Sequence, residues 1–435
     1  MPYSSRSEYP HSLLPLLKQL STSPDTLDPS SITAAILAIS IGDTHPLQTA
    51  ALLTALHYTT LDTHPAIIAA AAKALRTRGI PLQRLQAPPA GFPTIGDYEG
   101  GLVDMVGTGG DGHDTFNVST TAAVVAAGTG LRVAKHGSKA SSSMSGSADL
   151  LMALGAKILD VGAEEAGRLL CEGAQGRFCF LYAPVFHPAM KTVAEVRREL
   201  GCRTIFNVLG PIISPIDFST VIGRNGEETT PGYEARLLGV GHRRMGPVYA
   251  DTLRLLGVKK ALVVCGDEDL DEVSIAGNTH CWRITTDPSL PTTTNHNGIS
   301  NGASLSSTVQ GIFIETFLIH PTHTFGISTH PLSRCGSGGT PADNAVIFQE
   351  ILKGIRKRGD PVRDFVVVNA AACLVAAGAC EGTEGIGEDG VMRGNKWLDA
   401  VRRVEKALEG GEDGDAWRAW RKYVEGSEKA RERRD

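Results

Sequence analysis

Apolar positions in the first 80 residues recur at helical spacing. Leu13, Leu14, Leu16, Leu17 and Leu20 form one face, residues 32–39 and 47–56 continue the period, and Pro46 suits a first helical turn. Residues 12–78 therefore predict a small α-helical unit. The pattern then changes. Residues 83–100, with Pro88, Pro89 and Pro93, read as a linker. Beyond it, short apolar runs at 103–106, 131–134, 177–182 and 261–264 alternate with helical stretches such as 117–127 and 190–200. That alternation predicts a mixed α/β domain.

Candidate chemistry concentrates between the first two strands. After 103–106 the chain runs through Gly107, Thr108, Gly109, Gly110, Asp111 and Gly112, then enters a small-residue helix opening on Asn117, Ser119 and Thr120. Glycines allow positive φ and remove side chains that would keep an anion from the backbone amides, while the helix start adds partial positive charge. A phosphate site is the expected result. The second strand ends on Lys135 and His136 and leads into a serine-rich stretch, 138–147. Gly107, Gly109 and Gly112 also fit G-x-G-x-x-G, but a dinucleotide site calls for an acidic residue about 20 positions later. The second strand ends instead on Lys135, which disfavours nicotinamide binding.

Asp271 and Glu272 follow a strand and a turn. By themselves they fit a solvated acidic pair as well as a magnesium site, and Arg197 alone reads as an exposed helix arginine.

At 435 residues and 42% hydrophobic content, the chain can bury two cores at about 100 to 200 residues per domain. A net charge of -5 gives no basic field for nucleic acid. The eight cysteines include no C-x-x-C pair, so reduced thiols in a cytoplasmic protein are expected. The N-terminus lacks a signal-peptide pattern, and no run of 18 apolar residues suggests a membrane span. Residues 287–308 are polar and rich in Asn, Ser and Thr, predicting a flexible insertion, and 409–435 predict a solvated, charged tail.

The segments GTGGDG, TFNVST, VAKHG, SGSADLL, HPAMK, VRRELGCRTIFNVLGP and LDEVS, in that order, resemble the anthranilate phosphoribosyltransferase family of tryptophan biosynthesis. The resemblance spans residues 12–407, and the 287–308 insertion suits a eukaryotic, fungal-type member. It implies an α/β fold of the nucleoside phosphorylase/phosphoribosyltransferase type. A small all-α domain (1–82), completed by returning helices near 185–212, would join by the 83–100 linker a larger domain (101–184 and 213–408) with a central, mostly parallel sheet. It also implies a homodimer formed through the helical domain, and hinges after Arg78 and near Ala174.

The substrates implied are phosphoribosyl pyrophosphate (PRPP) and anthranilate, with two magnesium ions. By resemblance, PRPP is bound by Gly107, Thr108, Gly109, Gly110, Asp111, Thr115, Asn117, Ser119, Thr120 and Lys135, and magnesium by Ser119, Asp271 and Glu272. His136, Gly137, Ser138, His187 and Arg197 would hold anthranilate, and Lys135, His136 and Arg197 would carry catalysis. Ser138 and Lys139 stand where many relatives have Asn and Arg, and Met144 where a basic residue is frequent. Pyrimidine nucleoside phosphorylases share the architecture but carry a K-H-S-T-G-G-like loop, absent here. A non-catalytic nucleic-acid binder would have an eroded glycine loop and a basic surface, neither of which this chain has.

Overall fold

A computed structural model describes residues 9–83, 95–139, 145–171, 177–216, 232–286 and 311–434. The 287–308 insertion, Met144, Ala174 and residues 84–94 of the linker lie outside them.

Four helices open the chain: Leu14–Thr22, Pro29–Ile41, Pro46–Tyr58 and Pro65–Arg76. Each has a proline in its first turn, where a missing N–H costs no hydrogen bond. Asp28 caps the second by accepting from Ser30 N at 3.0 Å, and Gly42 ends it in the left-handed conformation at φ 81°. Leu13, Leu16 and Leu20 point into the core, whereas Leu14 is 42% exposed. Helices Lys191–Leu200 and Ile205–Leu209 return to this bundle, the first against Pro29–Ile41 and Pro46–Tyr58, the second against Pro46–Tyr58 and Pro65–Arg76.

The larger part is built on a seven-stranded sheet: β1 (Leu102–Gly107), β2 (Arg132–Gly137), β3 (Arg177–Tyr182), β4 (Tyr233–Gly239), β5 (Ala261–Gly266), β6 (Thr279–Thr286) and β7 (Ile312–Ile319). Their order is β3-β2-β1-β4-β5-β6-β7. β1 to β5 run parallel, and β6 and β7 are antiparallel additions at one edge. The chain winds outward from β1 to β3, then crosses back to β4 on β1's other side. That switch leaves a crevice at the carboxyl ends of β1 and β4, where open α/β sheets bind ligands.

The sheet's parallel strands are buried on both faces. Helix Pro361–Ala377 is apolar nearly all round and packs on helix Val118–Gly128 and on β4 and β5. Across β1 and β4, Asp104 and Arg236 form a fully buried ion pair at 2.7 Å, and Arg236 also donates to the Pro211 carbonyl at 2.9 Å. This pair ties the sheet to the segment that leaves the helical bundle. All eight cysteines are free thiols.

The expected solvated tail is corrected here. Residues Asp415–Glu432 form a helix that packs on Val118–Gly128 and β3, burying Trp420 and Tyr423. Gly128 is needed for the approach, since a β-carbon there would stand 2.6 Å from Ala416 Cα. The apolar stripe of Ala416, Ala419, Trp420, Tyr423 and Ala430 was masked by the charges between its members.

Candidate functional site

The glycine loop leaves β1 at the switch point. Gly109, Gly110 and Gly112 have φ of 65°, 73° and 81°, conformations open to glycine at little cost. Inside the loop, Thr108 N donates to Gly239 O at 3.0 Å and Gly109 N donates to Asp271 Oδ2 at 2.6 Å. Two of the amides expected to face a phosphate are thus taken by the protein itself. Among the described residues, the N–H groups of Gly110, Asp111 and Gly112 have no partner, so the anion-facing part of the loop lies further along than the glycine pattern suggested.

Asp271 and Glu272 reach the loop because β5 is followed by a tight turn in which Asp269 adopts φ 61°. The approach is close enough that a β-carbon on Gly239 would overlap the Asp271 carbonyl, and one on Gly107 would overlap its carboxylate. Asp111 closes the group, accepting from Asp271 N at 3.5 Å. Crowding has an electrostatic consequence. Burial and the neighbouring Asp111 carboxylate push Asp271 up to about 7, and burial with the Asp271 and Asp111 charges holds Glu272 well above the usual carboxylate range. Among the described residues, Glu272 Oε2 is also a buried acceptor without a partner. Carboxylates strained against one another, with an orphaned oxygen, fit a hard cation such as magnesium. Among the described residues no three His, Cys, Asp or Glu side chains enclose a metal by themselves.

Helix Val118–Gly128 begins beside this group. Asn117 precedes it, but its side chain donates to Ser145 O at 3.3 Å instead of capping the helix. Thr120 is buried and donates to Ser147 Oγ at 2.9 Å. Thr115 forms a bridge to Gly336. Lys135, at the end of β2, is 2% exposed; its Nζ donates to Met105 O at 2.7 Å and to Ser119 Oγ at 3.2 Å. The amine therefore stands beneath Ser119, within reach of its hydroxyl. Burial lowers it to about 8, against the opposing pull of Asp104, Glu272 and Asp271.

A second group forms where β2 meets the returning helices. His136 and His187 are both buried, with rings 5.2 Å apart edge to face. Burial first, and the neighbouring His187 second, hold His136 well below the usual imidazole value; burial brings His187 to about 4. These shifts keep both rings neutral near pH 7, and among the described residues both Nε2 atoms lack hydrogen-bond partners. Gly79 gives His187 its space, since a β-carbon there would stand 2.9 Å from Cε1. Gly137 packs on Phe180, while Ser138 and Lys139 are exposed. Arg197 is half-buried, its guanidinium 5.6 Å from the centre of the Phe206 ring. Among the described residues no carboxylate pairs with it.

The sequence reading missed a third contributor. Residues 335–344 return to the loop: Cys335 O accepts from Phe116 N at 2.9 Å, Ser337 Oγ donates to Asp114 at 3.1 Å, and buried Asn344 Oδ1 accepts from Asn117 N at 3.2 Å. A signal was present in Thr340-Pro341 with Asp343, a capping box after two glycines, but nothing local tied it to residues 114–117.

Two family models match the chain: the helical bundle domain of a glycosyl transferase family at residues 14–79 and its a/b domain at residues 99–413. An anthranilate phosphoribosyltransferase of Schizosaccharomyces pombe is 38% identical over 348 residues, covering 80% of this chain and 83% of that protein. The Saccharomyces cerevisiae anthranilate phosphoribosyltransferase, solved in complex with PRPP and Mg, superposes with a TM-score of 0.74 at 30% identity, covering 96% of this chain and 98% of that one. A Gly141Asn variant of the same yeast enzyme, solved with 4-fluoroanthranilate, gives a TM-score of 0.71 at 29% identity, again covering 96% and 98%. With its helical bundle and its mostly parallel sheet both matched, the chain belongs to the anthranilate phosphoribosyltransferase family.

Proposed function

We propose that this protein transfers the phosphoribosyl group of PRPP to the amino nitrogen of anthranilate, releasing pyrophosphate, as a step of tryptophan biosynthesis. The observation that carries this reading is the gathering of Asp111, Asp271 and Glu272 under open amides at the β1/β4 switch point. It is supported by the yeast enzyme's complex with PRPP and Mg.

The amides of Gly110, Asp111 and Gly112 receive the diphosphate, with Asn117 and Ser119 at the adjoining helix start. Asp271, Glu272 and Ser119 would hold magnesium, two ions being expected, which would neutralise charge on the diphosphate as it departs. The nitrogen lone pair of anthranilate forms the new bond to the ribose anomeric carbon. The bond from that carbon to the diphosphate oxygen breaks, its electron pair leaving with pyrophosphate, with inversion at carbon. Charge therefore builds on the leaving group, where preorganised N–H donors act most strongly. Lys135 contributes from below, through Ser119. The amine proton leaves near anthranilate's own carboxylate, so no strong base is required.

On the acceptor side, Arg197 is matched to a carboxylate by its planar fork and by having no carboxylate partner among the described residues. The yeast complex with 4-fluoroanthranilate supports an aromatic acceptor. His136 and His187, kept neutral, give that ring an uncharged wall. Exposed Leu14, Ile41, Leu47 and Tyr58 on the helical bundle support a homodimer through that domain. Among the described residues no helix is long and apolar enough to cross a membrane, and we place the protein in the cytoplasm. Loss of anthranilate fluorescence, dependent on both PRPP and Mg²⁺ and stopped by EDTA, tests the reaction. No loss with folded protein would refute it.

A further inference from the structure

The glycine loop has a cationic neighbour, Arg203. Arg203 sits between helices Lys191–Leu200 and Ile205–Leu209, in the segment that packs on the helical bundle. Its guanidinium faces Gly110: a β-carbon on that glycine would stand 3.2 Å from Nη1 and 4.0 Å from both Cζ and Nη2. Arg203 is exposed, and among the described residues no carboxylate pairs with it, although Asp111 follows Gly110 directly. Gly110 is also the first loop residue whose N–H has no partner among the described residues. A planar donor fork thus stands beside Gly110, the first of three loop residues whose N–H groups have no partner among the described residues.

We propose that Arg203 is a donor-binding residue supplied by the helical side, its guanidinium donating to a phosphate oxygen of the diphosphate held by Gly110, Asp111 and Gly112. Bidentate guanidinium–phosphate pairing gives both charge and geometry. Gly110 is then required for its φ of 73°, and its missing side chain leaves the Arg203 guanidinium room to approach. Arg197 lies six residues earlier and stacks on Phe206, three residues later. One short segment therefore carries a cation for each substrate. The inference rests on PRPP as the donor.

The test uses the full-length protein with Mg²⁺ and the variants Arg203→Gln and Arg203→Lys. Arg203→Gln should raise the donor KM and the inhibition constant of inorganic pyrophosphate by about 10- to 100-fold, the factor carried by a lost hydrogen bond to a charged group. The anthranilate KM and the melting temperature should stay at their wild-type values. Arg203→Lys should recover part of the loss, keeping the charge without the fork. Unchanged donor KM and pyrophosphate inhibition in Arg203→Gln would overturn the proposal, as would an equal rise in both KM values. If wild-type protein fails to consume anthranilate, the functional reading falls, and calorimetric titration with magnesium pyrophosphate still decides on Arg203. Weaker binding by Arg203→Gln supports it, and equal binding overturns it.

Discussion

The two halves of the site are built by different means. At the carboxyl ends of β1, β4 and β5, backbone does most of the work: Gly107 and Gly239 have no side chain because the Asp271 carboxylate and carbonyl occupy that space. Where β2 meets the returning helices, side chains do it: His136 against His187, and Arg197 over Phe206. The first half crowds carboxylates whose ionisation is opposed by burial and by one another; the second keeps its rings neutral and its guanidinium unpaired among the described residues. A charged donor and a flat aromatic acceptor call for that division. Backbone donors suit phosphate oxygens, whereas an aromatic ring is selected by shape and by one carboxylate-binding fork.

The sharpest break is expected from the acidic half. Asp271→Asn with Glu272→Gln should lower turnover by about a thousandfold or more, at the upper end of what loss of transition-state charge stabilisation carries, while circular dichroism stays that of the wild type. Asp271→Asn alone should raise the melting temperature of metal-free protein at pH 8. A carboxyl whose folded value is raised to about 7 destabilises the fold increasingly from its ordinary range up to that value, and fully above it. The gain should therefore shrink at pH 5. An unchanged melting temperature at pH 8 would mean that the three carboxylates do not repel.

The aromatic half should break differently. Arg197→Ala is expected to raise the anthranilate KM about 10- to 100-fold, with little change in the donor KM. Equal effects on both would make it a structural residue. As a control outside both halves, Trp420→Ala should cost about 3 to 5 kcal/mol of stability, the usual cost of truncating a buried tryptophan, and leave the ratio of the two KM values alone; chemical denaturation and kinetics on one sample check this. The smallest effect concerns the histidines. His187 is lowered to about 4, so its stabilising contribution is full above about 6.5 and is lost as pH falls towards 4. Its ring proton resonances should hold their neutral positions from pH 8 to pH 5, and a midpoint near 6.5 would show that the ring is not enclosed.

The division also explains what could be read in advance. Glycines at 107, 109, 110 and 112 announce a backbone-built site because their spacing is itself the device, and Asp271-Glu272 is local in sequence. Even there, which amides remain open depended on a partner 162 residues away, since Asp271 claims the Gly109 N–H. Side-chain meetings leave no local trace. Arg203 over Gly110 and Asn344 on Asn117 join positions with no shared periodicity, and Lys135 proved to reach Ser119 from below. At the C-terminus, a net of charged residues hid the stripe that docks Trp420 and Tyr423. Tertiary burial outweighed a composition that reads as solvated.

The donor and acceptor are thus assigned to separable halves of one site. Calorimetric titration of wild type, the Asp271→Asn/Glu272→Gln variant and Arg197→Ala tests that assignment most directly, with magnesium pyrophosphate and anthranilate as separate ligands. The acidic-pair variant should lose magnesium pyrophosphate and keep anthranilate, while Arg197→Ala should do the reverse. Loss of both ligands in either folded variant would contradict it.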